Sequence, residues 1–150
     1  MGSKSDNFEN QLLLHIFNNS AIAYVGDTAG LPASVTPGNL YVSLHTGTLD
    51  DTSNQDTTET TYTNYVRQAV PRSGAGWTVT NSTVNPAADI DFPECGATPG
   101  AAVTHFAIGK EADGGGGPED ILYWGALNPP ITMATGVIPR IKTTSAITED

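Results

Sequence analysis

Residues 103–127 read VTHFAIGKEADGGGGPEDILYWGAL, and this stretch decides the fold class. Thr104, Phe106 and Ile108 alternate with Val103, His105 and Ala107, the period of two that belongs to a strand. Ile121 to Leu127 returns as a second strand, and Lys110 to Asp120 forms the tip between them. The run Gly114–Gly115–Gly116–Gly117 makes that tip flexible, because glycine leaves its backbone unrestrained. The pattern predicts an antiparallel hairpin with a long loop.

The same reading extends outward. In Leu40–Tyr41–Val42–Ser43–Leu44–His45 the residues Leu40, Val42 and Leu44 share one face, with Tyr41, Ser43 and His45 on the other. Further strands are expected over 64–71, over 77–80 after the turn 73–76, and at Ile90 and Phe92, which alternate with Asp89 and Asp91. Residues 21–25 are β-like, and the Gly- and Pro-rich stretch up to Gly38 is a loop. Asn128–Pro129–Pro130 is expected to break the hairpin's second strand; 131–133 and 137–141 finish the sheet, with Pro139 marking an edge. Residues 46–63 are acidic and Thr-rich, with Leu49 and Tyr62 their only apolar anchors, and read as a long exposed loop.

One helix is expected, at the start. Phe8, Leu12 and Ile16 recur every four residues with Leu13 and Phe17 beside them. Asp6 is placed to cap it, Glu9 follows three residues on, and Asn18–Asn19–Ser20 ends it. So short a helix needs packing to hold it, against its own domain or against another subunit. The expectation is a single domain over 1–150: an N-terminal helix (1–19), an antiparallel β-sandwich (20–142) of immunoglobulin-like or jelly-roll type, and a polar C-terminal tail (143–150). Strand order is left open.

Composition narrows function. With 6 basic against 16 acidic residues the formal charge is −10, which repels a phosphate backbone and an anionic membrane surface alike. The single cysteine, Cys95, has no partner for an intrachain disulfide and no zinc-ligand cluster around it. Residues 1–7 are polar and Leu12–Leu13–Leu14 is too short for the core of a secretory signal. At Met1–Gly2 a myristoylation motif is spoiled by Asp6, where Ser or Thr is wanted.

Catalytic patterns are scarce. His15, His45 and His105 show no metal-ligand spacing, although His45 and His105 approach each other if their strands are neighbours. There is no nucleophile elbow, and Gly114–Gly117 lacks the Lys–Ser/Thr of a phosphate loop. The carboxylate pairs Asp50–Asp51, Asp89/Asp91 and Glu119–Asp120 lack the spacing of a known calcium loop. Trp77, Trp124, Tyr41, Tyr65 and Tyr123 are either core and rim residues or a platform for stacking sugars. No enzyme activity, metal or cofactor is expected.

Six ordered segments carry a resemblance: NFENQLLLHIF (7–17), LYVSLHTG (40–47), NYVRQAVPRSGAGW (64–77), VNPAADIDFP (84–93), VTHFAIG (103–109) and ILYWGAL (121–127). Together they resemble small virion structural proteins of tailed bacteriophages, often labelled tail-fibre or minor tail proteins. The resemblance implies a β-rich, non-enzymatic virion part, made in the host cytoplasm. Its partners would be major capsid or tail proteins and further copies of itself, a trimer by analogy with capsid-decoration (cement) proteins. A capsid-decoration role and a small tail-associated role are equally compatible with it. A receptor- or glycan-binding module is the alternative. The expected contact residues are Phe8, Leu12 and Ile16 on the helix, Leu49 and Tyr62 in the first long loop, and Trp124 beside the second.

Overall fold

A computed structural model describes residues 3–113 and 119–150. Its elements in chain order are α1 (Asp6–Asn18), β1 (Asn39–His45), β2 (Gln68–Pro71), β3 (Trp77–Thr80), β4 (Thr83–Pro86), β5 (Ile90–Asp91), β6 (Val103–Gly109), β7 (Ile121–Ile131), β8 (Arg140–Ile141) and β9 (Ile147–Thr148). The fold is mainly β, with antiparallel sheets, sandwich-like packing and one helix, as the sequence leads one to expect. The Gly114–Gly117 run and the Met1–Gly2 start lie outside the described residues. Two compact units are present, one holding the residues up to Asn39 with 70–89 and 142–150, the other holding 40–69 and 90–141.

In the first unit, α1 lies on β3 and β4. Its N-cap is Ser5, not Asp6: the Ser5 side chain accepts from the Phe8 amide, and the Glu9 amide donates to the Ser5 carbonyl at 3.0 Å. Both residues carry a short side-chain oxygen, so sequence alone left the cap one position late. The buried row is Glu9, Leu13 and Phe17, one residue round the helix from Phe8, Leu12 and Ile16. The Phe17 ring meets Trp77 edge-on, centroids 4.9 Å apart. Asn19 closes the helix in the left-handed region at φ 54°.

Arg72 completes that end. Its guanidinium donates to the carbonyls of Ile16 and His15 at 2.7 Å each and to Pro37 O at 3.2 Å. The His15 and Ile16 carbonyls are ones the helix cannot satisfy internally, at the negative end of its dipole. Burial lowers the pKa of this guanidinium from its ordinary value. Beyond the helix, Ile22 pairs with Leu31 across the 20–38 loop, and Gly30 (φ +64°) sits so close that a Cβ there would fall 2.0 Å from Ile22 O.

The sheet of this unit runs β3-β4-β9. Its middle strand, β4, was not expected from the sequence: TVNP offers too few apolar residues to announce a strand. It forms because Asn81, at φ 53°, turns β3 back with Val79 opposite Val84. Within the polar 143–150 tail, Ile147–Thr148 form β9, with Ile147 opposite Val84.

The second unit holds β1, β6 and β7, in a sheet of order β2-β1-β6-β7. The hairpin expected from residues 103–127 is there as β6–β7, with Phe106 opposite Gly125 and Ala107 opposite Trp124. Six of the seven β1 residues are buried or half-buried, Ser43 and His45 on the second face as completely as Leu44 on the first. β7 does not stop at Asn128 but runs through Pro129 and Pro130 to Ile131. It is an edge strand, where the missing proline N–H is no loss. β2 begins only at Gln68, because 62–65 are held elsewhere. The Tyr62 hydroxyl donates to Pro93 O at 2.9 Å, and the Tyr65 ring stacks on Phe92 at 6.2 Å while its hydroxyl accepts from the Leu44 amide. That aromatic bridge ties Phe92, which follows β5 of the β5–β8 ladder, to β1, and Cys95, Met133 and Ile141 are buried in the same unit.

The offset of the buried helical row is testable by urea unfolding. Phe17→Ala is expected to lower the unfolding free energy by about 3–5 kcal/mol, and Phe8→Ala, at a 37% exposed site, by less than about 1 kcal/mol.

Candidate functional site: a buried arginine beneath two loops

The two long loops expected to carry binding are tied together in the second unit, and the tie is Arg67. Its side chain is only 3% exposed. It forms a two-pronged pair with Glu59, Nε to Oε1 and Nη2 to Oε2, both 2.8 Å. Nη2 also donates to Asp56 Oδ1 at 2.8 Å, and Nη1 to Glu119 Oε2 at 2.7 Å. Glu59 and Asp56 belong to the first loop, and Glu119 to the base of the second. The planar guanidinium suits this arrangement, since its fixed fork reaches three carboxylates at once. The Glu59 hydrogen bond, supported by Glu119 and opposed by burial, raises the Arg67 pKa above its ordinary value.

Other polar contacts follow the same seam. The Gln55 amide donates to Glu119 O at 2.8 Å, and its side-chain Oε1 accepts from the Glu111 amide at 3.0 Å. Gln55 is fully buried and lies against Gly109, where a Cβ would fall 2.1 Å from its side-chain carbon. Residues 58–60 run antiparallel to the end of β1, with Thr46 N bonded to Thr58 O and Thr60 N to Leu44 O, both 2.9 Å. The Tyr65 hydroxyl donates to Glu59 Oε1 at 2.6 Å. Burial first, then the Glu59 charge, raises the pKa of that hydroxyl. Stretch 46–63 is therefore a folded, polar-cored loop.

His45 sits under this loop, opposite His105 in the β1–β6 register. The approach foreseen for the two histidines is real in the backbone, but each ring is engaged elsewhere. His45 Nδ1 donates to Thr57 O at 2.7 Å, so Nε2 accepts from the Ser43 hydroxyl at 2.8 Å. His105 Nδ1 is 2.9 Å from Thr104 Oγ1. Burial holds the His45 pKa below its ordinary 6.5, with Arg67 and His105 acting in the same direction and the Thr57 hydrogen bond and Glu59 against it. His15 donates to Ser20 O at 2.7 Å, a helix-end contact.

The expected contact residues separate. Leu49 and Tyr62 are buried, at 4% and 2% exposure; they anchor the first loop from inside and cannot present a surface. Burial, with a smaller contribution from Cys95, pushes the Tyr62 hydroxyl up to about 12. Leu12 and Ile16 are half-buried; Phe8 and Trp124 are exposed. Trp77 is core. Exposed apolar side chains that the sequence reading passed over are Tyr24, Val25, Leu31 and Val35 in the 20–38 loop, and Val66. Leu31 and Val35 lie in the stretch read as a loop, while Tyr24, Val25 and Val66 lie in stretches read as strands that the structure does not form there, so their exposure was not marked.

The carboxylate pairs disperse. Asp50 accepts from Thr52 and Ser53, bonds that lower its pKa, the Thr52 hydroxyl foremost. Asp91 pairs with Arg140, which lowers its pKa in turn. Asp89 accepts from the Thr143 amide, and Asp120 pairs with Lys110. Among the described residues no three His, Cys, Asp or Glu side chains converge on a metal position, and no helix is long and apolar enough to cross a membrane.

Compared with known protein families, residues 3–148 match the family described as podophage GP4 fiber I protein gp80. No curated protein matches the chain.

Two measurements probe the site. Arg67→Met leaves three carboxylates facing one another, and is expected to cost about 3–5 kcal/mol of stability; hydrogen exchange at 55–60 should accelerate with it. For His45 the sign follows from its lowered pKa. The unfolded chain binds the proton more readily, so stability is whole above pH 6.5 and is lost as pH falls through that value toward the folded pKa. The slope is at most about 1.4 kcal/mol per pH unit. His45→Asn keeps a donor toward Thr57 O and should flatten the fall between neutral and mildly acid pH in paired urea titrations.

Proposed function

The chain belongs to the podophage GP4 fiber I protein gp80 family, and we propose on that basis that it is a small fibre-type subunit attached to the tail of a phage particle, working through protein–protein contacts. Membership makes it a structural virion component. The observation that carries the finer reading is that the matching family is described as a fibre protein, and that its match runs over residues 3–148. The Arg67 seam supports it. A particle component must hold its contact loops in one shape through assembly, and a four-way ion network under two loops does that better than apolar packing under so polar a sequence.

The reading also accounts for the charge. An acidic subunit stays soluble as free copies accumulate and meets a basic or neutral docking face when it assembles.

Immunogold labelling of intact particles tests the placement. Gold on the tail is the expected result. Gold spread over the head would replace the tail reading with capsid decoration, and unlabelled particles would overturn a virion role altogether. Trp124, 39% exposed, gives the receptor-binding alternative an aromatic surface to work with. A host-glycan signal abolished by Trp124→Ala, with the circular dichroism unchanged, would favour it.

A further inference from the structure

β7 is unlike every other strand of the described residues. It is 11 residues long, ILYWGALNPPI, and contains six large apolar side chains: Ile121, Leu122, Tyr123, Trp124, Leu127 and Ile131. Not one of its residues is buried. β1, of 7 residues, buries five. β7 is also the last strand of its sheet, so its outer side has no strand neighbour among the described residues. At the opposite end of that sheet, β2 is blunted: it has only 4 residues and ends on Pro71. A short strand with a proline is how proteins protect an edge, whereas a long apolar edge is a template for pairing.

We propose that β7 pairs edge to edge with β7 of a second copy of this chain, antiparallel about a two-fold axis. The proposal rests on the reading of the chain as an assembly part and names one of its partners. Charge selects the occupant. The chain carries −10 overall, so copies repel wherever their acidic surfaces approach. Between Ile121 and Ile131 there is no charged residue at all. This is a surface on which two such chains meet without like charges opposed, and it offers nothing ionic to a partner of opposite sign.

Side-chain sizes suggest the register. A two-fold through Gly125 places Trp124 opposite the partner's Ala126, on the face where Trp124, Ala126 and Asn128 are exposed; a large residue then meets a small one on both sides of the axis. Gly125 itself is backed by Phe106, whose Cε1 would lie 3.0 Å from a Cβ at that position. Pro129 and Pro130 fall at the margin of the pairing, so 122–128 supply it without a missing donor.

Analytical ultracentrifugation of the full chain, with the double variant Trp124→Lys/Ala126→Lys, tests this. The expected result is a wild-type dimer that the lysines dissociate to a folded monomer. A wild-type monomer at micromolar concentration, a trimer, or a dimer indifferent to the lysines overturns the proposal. Should the lysine variant fail to fold, the double variant Trp124→Cys/Ala126→Cys decides, both positions being exposed. Each cysteine then faces its opposite number across the axis with Cα atoms about 4.5–5.5 Å apart, within disulfide reach, and Cys95 is buried and cannot compete. Mild oxidation should give a covalent dimer, and none overturns the pairing. A failed pairing leaves tail labelling intact, whereas a failed virion role leaves the purified dimer intact, so the two outcomes are separable.

Discussion

The second unit depends on one guanidinium. Arg67 enters a nearly closed site and meets Glu59, Asp56 and Glu119 there. Desolvating a cation is costly, and only a full set of close partners offsets it. That requirement fixes residues 56–59 against residue 119. Much else follows from it: Gln55 is wedged over Gly109, residues 58–60 line the end of β1, and the Tyr65 hydroxyl is caught between Glu59 and the Leu44 amide. A lysine could meet one of the carboxylates but not fork across three. Ion networks of this kind often add little net stability, and their value lies in admitting one arrangement and excluding others. Under a loop with only Leu49 and Tyr62 as apolar anchors, such selectivity is the means by which a single shape can be held.

That network also shows where sequence reading stops. The hairpin of residues 103–127, the strand 40–45 and the helix were legible because apolar periodicity is a local signal. Arg67 gave no such signal. Its partners lie 8, 11 and 52 residues away, and an isolated Arg beside Thr-rich, acidic sequence looks like any solvated charge. The same blindness made 46–63 read as exposed when Gln55 and Thr60 are among the most buried polar residues of the chain. The helix was legible as a helix, but its burial was not. Two adjacent i, i+4 rows were both plausible, and the one containing Glu9 won because Leu13 and Phe17 fit against β3 and β4, with Phe17 on Trp77. Strand β4 failed for the opposite reason: its pairing is dictated by the turn at Asn81 rather than by its own composition. Of the six expected contact residues, Leu49 and Tyr62 proved to be anchors, because apolar residues in a polar loop are the ones most readily recruited inward.

Polar and apolar resources are thus spent in opposite places. The loop end of the main sheet is polar in sequence and closed by hydrogen bonds; the β7 edge is apolar in sequence and open. A free strand edge in solution is ordinarily guarded by charge, and this chain has acidic residues to spare, yet none falls within β7. Lys110 and Asp120, just outside it, pair with each other instead of facing the edge. An edge without charge, and without proline over 121–128, is a hazard on a single free protein; on a subunit of a larger particle it is a connection. The distribution of charge is therefore better explained by assembly than by solubility alone, because solubility would have been served by moving one acidic residue by a few positions. The Arg67 network and the open edge belong to the same unit, so any copy joined along β7 presents residues 55–60 in a fixed relation to that junction, which is the geometric property a repeating particle requires.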